Sequence, residues 1–328
     1  MNNLNMSKNK TGFDPKWLFS YGLYIIFILL FIAFTFLTNN FFTAQNLSLV
    51  LADNSGFLVV AIGTTFVILT GHMNLSVGSI MLLSASVAYK LTRPLADDPA
   101  VYISLFILIA VAVGTICGII CGLLVAKLKV NHMLSTLGLM LLFKGVALTL
   151  TNALTLTIPN KISSVVLHRW FGYVPTNVFV AIIILILAQL LLSYTEFGRK
   201  IVAIGCNKKA AQIRGIRNDK MIFIAYLISG ILAGLAGALT AFNSGGVGAT
   251  LGSGMDFTAV AAIVLGGTSL SGGKGRIFPN TLLGVLLLGL LDNGLVMVGI
   301  DTFAIPVYKG AAIFIAMFAD SLKNKIKS

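Results

Sequence analysis

Ten long apolar runs constrain this chain more than anything else in it. They cover residues 17–38, 46–70, 75–92, 100–126, 131–151, 177–194, 220–242, 256–271, 277–299 and 304–320. Most approach or exceed the roughly 18–20 residues that a helix needs to cross the ~30 Å hydrocarbon core of a bilayer. None shows the period-two alternation of a barrel strand, so helices are the only spanning structure open to them. Of the 328 residues, 57% are hydrophobic and only 10% charged, so a soluble core is the wrong frame. The expected fold is all-α, a polytopic membrane helix bundle of about ten transmembrane segments, with residues 1–328 forming one domain. The run 256–271 is the weakest, 16 residues flanked by glycines, and a re-entrant segment is the alternative there.

Charge placement orients the bundle. With both termini cytoplasmic, 17 of the 23 Lys and Arg fall in cytoplasmic pieces, while Lys90, Arg93, Lys161 and Arg169 lie on the opposite side; this is the asymmetry of the positive-inside rule. A net charge of +13 on a soluble protein would suggest a phosphate footprint. Spread over short membrane loops it sets topology instead, and no nucleic acid partner is expected; the lipid bilayer is. The basic N-terminus leads into an apolar run with no small-residue cleavage site near its end, which reads as an uncleaved first span. Cys117 and Cys121 share one helix face and, with Cys206, show neither metal spacing nor a disulfide framework, so they read as small hydrophobes.

Seven of the cytoplasmic cations sit in the loop 195–220. Topology accounts for their charge but not for the pattern "NKKAAQIRG" at 207–215. Asn207 can cap a short helix, "KKAAQIR" can form about two turns, and Gly215 can end it in the left-handed conformation. Lys208 and Lys209 crowd the positive end of that helix's own dipole, where cations are mildly destabilising, so helix stability does not explain them. The expectation is a compact helix lying parallel to the membrane, with Ala210 and Ala211 on its surface, shaped to enter a groove in another protein.

These residues carry a resemblance. "KAAQIRG" looks like the EAA-x-x-x-G signature of bacterial ABC importer permeases, and "TEFGRKIVAIGCNKKAAQIRGI" (195–216) is similar to the ribose-type sugar permeases of that class. So are "LTGHMNLSVGSIMLLSASVA" (69–88), "STLGLMLLFKGVALTLTN" (135–152) and "AVAAIVLGGTSLSGGKGRIFPNTLLGVLLLGLLDNGL" (259–295). The resemblance implies a type II ABC importer-like fold and a multi-pass protein of the bacterial inner membrane. It makes Asn207, Lys208, Lys209, Ala210, Ala211, Gln212, Ile213, Arg214 and Gly215 the coupling helix that docks into an ABC ATPase subunit, often a tandem-domain chain. It further implies a second permease chain, as homodimer or heterodimer, and an extracytoplasmic sugar-binding protein. ATP would be bound by the ATPase, and this chain would hold no cofactor and no metal. Two departures stand out: Lys209 replaces the acidic residue of the general motif, and His72 and Asn74 stand where the family commonly reads Gly and Asp.

The glycine-rich stretch "LGGTSLSGGKGR" (265–276) is not a phosphate loop. Thr268 occupies the position of the first required glycine and Gly275 that of the Ser or Thr after the lysine. It reads as a tight cytoplasmic turn held inside by Lys274 and Arg276, and as a candidate second contact with the ATPase. "NSGGVGATLGSG" (243–254) falls outside and is either a flexible turn or the mouth of a pathway built from broken helices. "GHMNLSVG" (71–78) invites the same comparison.

Asp53, Lys144, Asp256, Asp292 and Lys309 fall within or at the edge of spans, where each charge costs roughly 2.5–3.5 kcal/mol unless paired or wet. Lys144 lies roughly 20 Å along its helix at 1.5 Å per residue, so it is expected to face the bundle interior and pair with an aspartate. Lys309 lies within snorkelling reach of the outer interface. A sugar pathway calls for amides and hydroxyls, and the candidates are Asn54, Asn74, Ser76, Asn243, Ser244 and Asn293.

No catalytic motif is present, and His72, His132 and His168 have no partners that suggest one; the chain is not expected to be an enzyme. The leading reading is the permease subunit of an ABC importer for a monosaccharide, ribose or a related sugar. The alternatives are an ion-coupled secondary transporter and an ABC permease for a nucleoside, an autoinducer furanoside or a branched-chain amino acid.

Overall fold

Small residues build the centre of the molecule. In the computed structural model of the chain, the backbone is described for residues 15–314, except 167, 171, 173 and 302, and the side chains from residue 22 onward. The helices in chain order are α1 (Pro15–Leu37), α2 (Ala44–Leu69), α3 (Val77–Thr92), α4 (Pro99–Gly122), α5 (His132–Thr151) and α6 (Asn160–Val166). After them come α7 (Thr176–Tyr194), α8 (Glu196–Cys206), α9 (Lys208–Ile213), α10 (Asn218–Asn243), α11 (Met255–Leu265) and α12 (Leu282–Met297). A last helix, α13, spans Ile305–Phe314. A π turn over Leu123–Lys127 prolongs α4, and another over Ile277–Thr281 leads into α12.

Helix α10 is the hub, packed against α2, α3 and α4. Its contact with α4 is set by two matched spacings, Gly114 and Gly118 against Gly230 and Gly234. A Cβ on Gly230 would overlap the Gly114 carbonyl and come within 2.5 Å of the Gly118 Cα. Lipid tails are as apolar as leucine, so membrane helices associate through close packing, and small residues four apart allow it. Around this seam, buried Phe66, Tyr102, Phe106, Tyr226 and Phe242 fill the larger gaps. A smaller cluster of Phe34, Phe41, Leu291 and Leu295 joins α1 to α12.

Two short strand pairs organise the connections at one end of the bundle. Leu156–Thr157 (β1) pairs antiparallel with Gly246–Val247 (β4), fastening the segment after α5 to the segment after α10. Arg169–Trp170 (β2) pairs with Val174–Pro175 (β3).

Among the described residues, six helices are long and apolar enough to cross a membrane: 44–69, 99–127, 132–151, 176–194, 218–243 and 277–297. The expected span 256–271 is corrected. Helix α11 has only 11 residues, roughly 16 Å at 1.5 Å per residue and so about half of a ~30 Å core. Glycines at positive φ bound it, Gly252 and Gly254 before and Gly267 after, a conformation that a helix cannot pass through. Helix α3 is also short, at 16 residues. Of the expected span 304–320, only Ile305–Phe314 is described, and the termini lie outside the described residues.

Candidate functional site

The basic loop forms the expected helix with the expected caps. The Asn207 side chain accepts the Ala210 N–H at 3.0 Å, opening α9. Gly215, at φ +80°, closes it, with its N–H donated to the Gln212 carbonyl. Lys208, Lys209, Ala210, Gln212, Arg214 and Gly215 are exposed, and Ile213 is 87% exposed. Ala211 corrects the expectation: it is only 4% exposed. Helix α9 lies against its own chain, tied by the Asn218 side chain to the Lys208 carbonyl at 2.9 Å, and Ala211 is on the side that meets the body. The outward face is Lys209, Ala210 and Ile213, an apolar knob ringed by cations.

Just ahead of α9 in the chain, at the end of α8, three segments interlock at glycines. A Cβ on Gly205, near the end of α8, would overlap both the Leu69 carbonyl at the end of α2 and the Gly273 amide. The Gly273 N–H donates to that same Leu69 carbonyl at 3.0 Å, and the Cys206 thiol donates to the Gly273 carbonyl at 3.4 Å. A Cβ on Gly71, which adopts φ +78°, would lie 3.2 Å from the Ser271 carbonyl. The stretch 265–276 is thus a tight turn, as expected, clamped between the ends of α2 and α8.

The break between α2 and α3 leads out of this junction. The Asn74 amide donates to the Ser229 hydroxyl of α10 at 3.2 Å and accepts from both the N–H and the hydroxyl of Ser76. Tyr226 donates to the Met73 carbonyl at 2.7 Å, and the Met73 N–H donates to His132 Nδ1 at 3.3 Å. His72 stacks edge-to-face on His132, with ring centroids 5.3 Å apart, and its Nδ1 lies 3.0 Å from the Thr70 carbonyl. Burial first, then the neighbouring His132 and Lys208, lower the His72 pKa to about 4. The imidazole is therefore neutral near pH 7, with Nδ1–H donating to Thr70.

The six amide and hydroxyl candidates for a pathway do not form one site, although Asn74 and Ser76 bond to each other. Asn293 and Asn46 exchange two amide hydrogen bonds of 3.0 Å. Asn54 donates to the Val50 carbonyl in its own helix. Asn243 donates to Asp53 at 2.7 Å and accepts from Asn177 at 3.3 Å. Ser244 donates to backbone carbonyls beside it, and Asn74 and Ser76 are fully buried in the break. Each is engaged within the chain. The intramembrane charges also differ from expectation. Lys309 pairs with Asp292 rather than snorkelling. Lys144 stands exposed on α5 and takes part in none of the ion pairs among the described residues: its helix presents it to a cleft that Asp256 also lines, beyond ion-pair distance.

That cleft is a cavity of about 230 Å³ lined by Ser79, Lys144, Ser253 and Asp256 together with Gly78 and Gly252. It forms where the starts of α3 and α11 meet. A Cβ on Gly78 would overlap the Gly252 carbonyl and come 2.5 Å from Asp256 Oδ1. Ser79 and Ser253 were not anticipated from sequence. The signal for them was the pairing of two glycine-rich breaks, each leading into a short apolar run, which is how discontinuous membrane helices are written.

Comparison with known proteins follows the same lines. The family described as "Branched-chain amino acid transport system / permease component" matches residues 46–319. The ribose import permease RbsC of Escherichia coli K12 is 35% identical over 319 residues, covering 95% of this chain and 97% of that protein. RbsC of Bacillus subtilis is 37% identical over 305 residues, 92% of each. The L-arabinose permease AraH of E. coli K12 is 32% identical over 326 residues, 98% of this chain and 95% of that one. No solved structure matches.

Proposed function

The chain belongs to the family of branched-chain amino acid transport system permease components, and from that premise we propose that it is the transmembrane permease subunit of an ATP-driven bacterial importer for a monosaccharide. Relatives named for ribose and L-arabinose, similar along nearly the whole chain, support the sugar. The ATPase, an extracytoplasmic sugar-binding protein and a second permease chain are the partners this reading requires, with ATP bound by the ATPase alone.

The observation that carries the reading is the placement of α9. A six-residue helix with Ile213 bared and cations around it follows by one residue the end of α8, whose Gly205 and Cys206 interlock with the end of α2 and the 265–276 turn. A push on α9 has a stiff route to the break at 70–76, through backbone contacts with no side chain between to absorb it. Lys144 supports the second permease chain. An ammonium in mid-helix is costly against lipid, so the face of α5 that carries it belongs on a wet or protein-covered surface, as a pathway between two copies provides.

The test is reconstitution of the chain in proteoliposomes with the ATPase and binding protein of its own genome. Uptake of D-ribose or L-arabinose that needs ATP and all three components is the expected result. Uptake that proceeds without the ATPase and collapses with an ionophore would assign the chain to ion-coupled transport, and ATP-driven uptake of L-leucine alone would replace the sugar.

A further inference from the structure

We propose that the cavity between α3, α5 and α11 is a binding station for a neutral polyhydroxylated solute, in which Asp256 accepts hydrogen bonds from the solute's hydroxyls and Lys144 donates to its oxygens. This deepens the reading of the chain as a sugar permease and rests on it.

Asp256 is the feature that asks for an explanation. It is 5% exposed, and none of the ion pairs among the described residues includes it. The starts of two helices offset part of its cost, since it lies in the first turn of α11 and against Gly78 in the first turn of α3, where a negative charge meets the positive end of each dipole. A carboxylate has about four acceptor positions; the backbone N–H groups of Gly78 and of Asp256 itself engage it, and it also lines the cavity. Lys144, across the same cavity, is close enough to act on it electrostatically, yet the two do not close on each other. The two charges are held apart with room between them.

The dimensions and chemistry of that room narrow the occupant. At about 230 Å³ the half-open cleft is smaller than the ~300–1,000 Å³ typical of pockets for drug-sized ligands, a size that suits a five- or six-carbon polyol. One carboxylate and one ammonium cancel, which favours a neutral guest. The polar lining comes from four segments: Ser79 on α3, Lys144 on α5, Ser253 in the turn and Asp256 on α11. A polyol carries hydroxyls around its whole ring and can answer all four, whereas an amino acid has both charges at one end. Ser79 donates to the Ser76 carbonyl at 2.8 Å and keeps its lone pairs for a guest. Met140, Leu141 and Phe257 complete the wall and suit the C–H faces of a sugar ring.

The experiment uses the full permease–ATPase complex in membrane vesicles, with Ser253→Cys in a Cys206→Ser background, so that the thiol introduced at position 253 is the reactive one while Cys117 and Cys121 stay buried. Labelling of that thiol by a small maleimide is followed with and without millimolar D-ribose, L-arabinose or L-leucine. The sugar that the complex imports is expected to slow labelling several-fold, L-leucine to leave it unchanged, and protection to be lost in both Asp256→Asn and Lys144→Gln. Lys144→Gln replaces an exposed residue and keeps the test open if Asp256→Asn fails to reach the membrane. Sugar import with no protection, or protection that survives both variants, overturns the station and leaves the permease reading intact. Import and protection by L-leucine in place of a sugar overturns both.

Discussion

Gly205 of α8 and Leu69 of α2 meet backbone to backbone, so closely that any side chain at 205 would occupy the Leu69 carbonyl. That carbonyl already accepts the Gly273 N–H. A single oxygen thus joins the end of α8, the break before α3 and the turn before α12.

Gly205→Val is expected to uncouple the permease. Overpacking of a close contact costs about 1–3 kcal/mol, and here the strain falls on the junction rather than on the buried seam of α10. ATP-driven uptake per molecule in the membrane should drop at least tenfold, a loss that corresponds to about 1.4 kcal/mol and comes on top of any fall in membrane level. Uptake assays on matched membrane amounts decide it.

The two faces of α9 should separate cleanly. Ile213→Glu changes a side chain that touches little of its own chain, so the thermal midpoint in detergent should hold while ATPase co-purification and uptake are lost. Ala211→Arg, on the buried face, should lower the midpoint as well. Equal midpoints for the two variants would contradict the assignment of faces.

The seam between α4 and α10 predicts a contrast between glycines. Gly230→Leu has the Gly114 carbonyl in its way and should destabilise the protein by several kcal/mol, beyond the roughly 1–3 kcal/mol of ordinary overpacking. Gly138→Ala, with nothing within 4 Å of its Cβ, should leave stability unchanged or slightly raised, since alanine is the better helix former. Thermal unfolding of the two variants side by side provides the measurement.

His72 gives the protein a pH dependence of known sign. Its folded pKa, about 4, lies below the ordinary 6.5, so below pH 6.5 the unfolded chain binds the extra proton more readily than the folded one. Stability from this group is fully present above pH 6.5 and is lost as pH falls from there toward 4. The thermal midpoint of wild type should drop between pH 7 and pH 5 more than that of His72→Gln, which carries no titrating group.

Much of this architecture was legible in the sequence, because helices longer than a bilayer core and helix caps are local facts. Asn207 and Gly215 marked the two ends of α9 correctly. What failed depended on partners far away in the chain. Asn293 reads as a free amide until Asn46, 247 residues earlier, is found bonded to it. Ala211 reads as a surface residue until the loop folds back on its own body. The run 256–271 was long enough on paper, and only the left-handed glycines at its ends showed that its helix stops at Leu265. The cavity required two breaks, at 71–78 and 243–254, to converge, and no single window of sequence contains both.

The proposed ATP-driven mechanism turns on α9 being the place where an ATPase takes hold. A cysteine placed at position 213, in a Cys206→Ser background, can be treated with a short bifunctional thiol reagent in membranes that are importing sugar. A covalent adduct between this chain and the ATPase subunit, absent when the cysteine is moved to position 154, exposed in the loop after α5, is the predicted result. An importing complex that yields no such adduct would contradict the account.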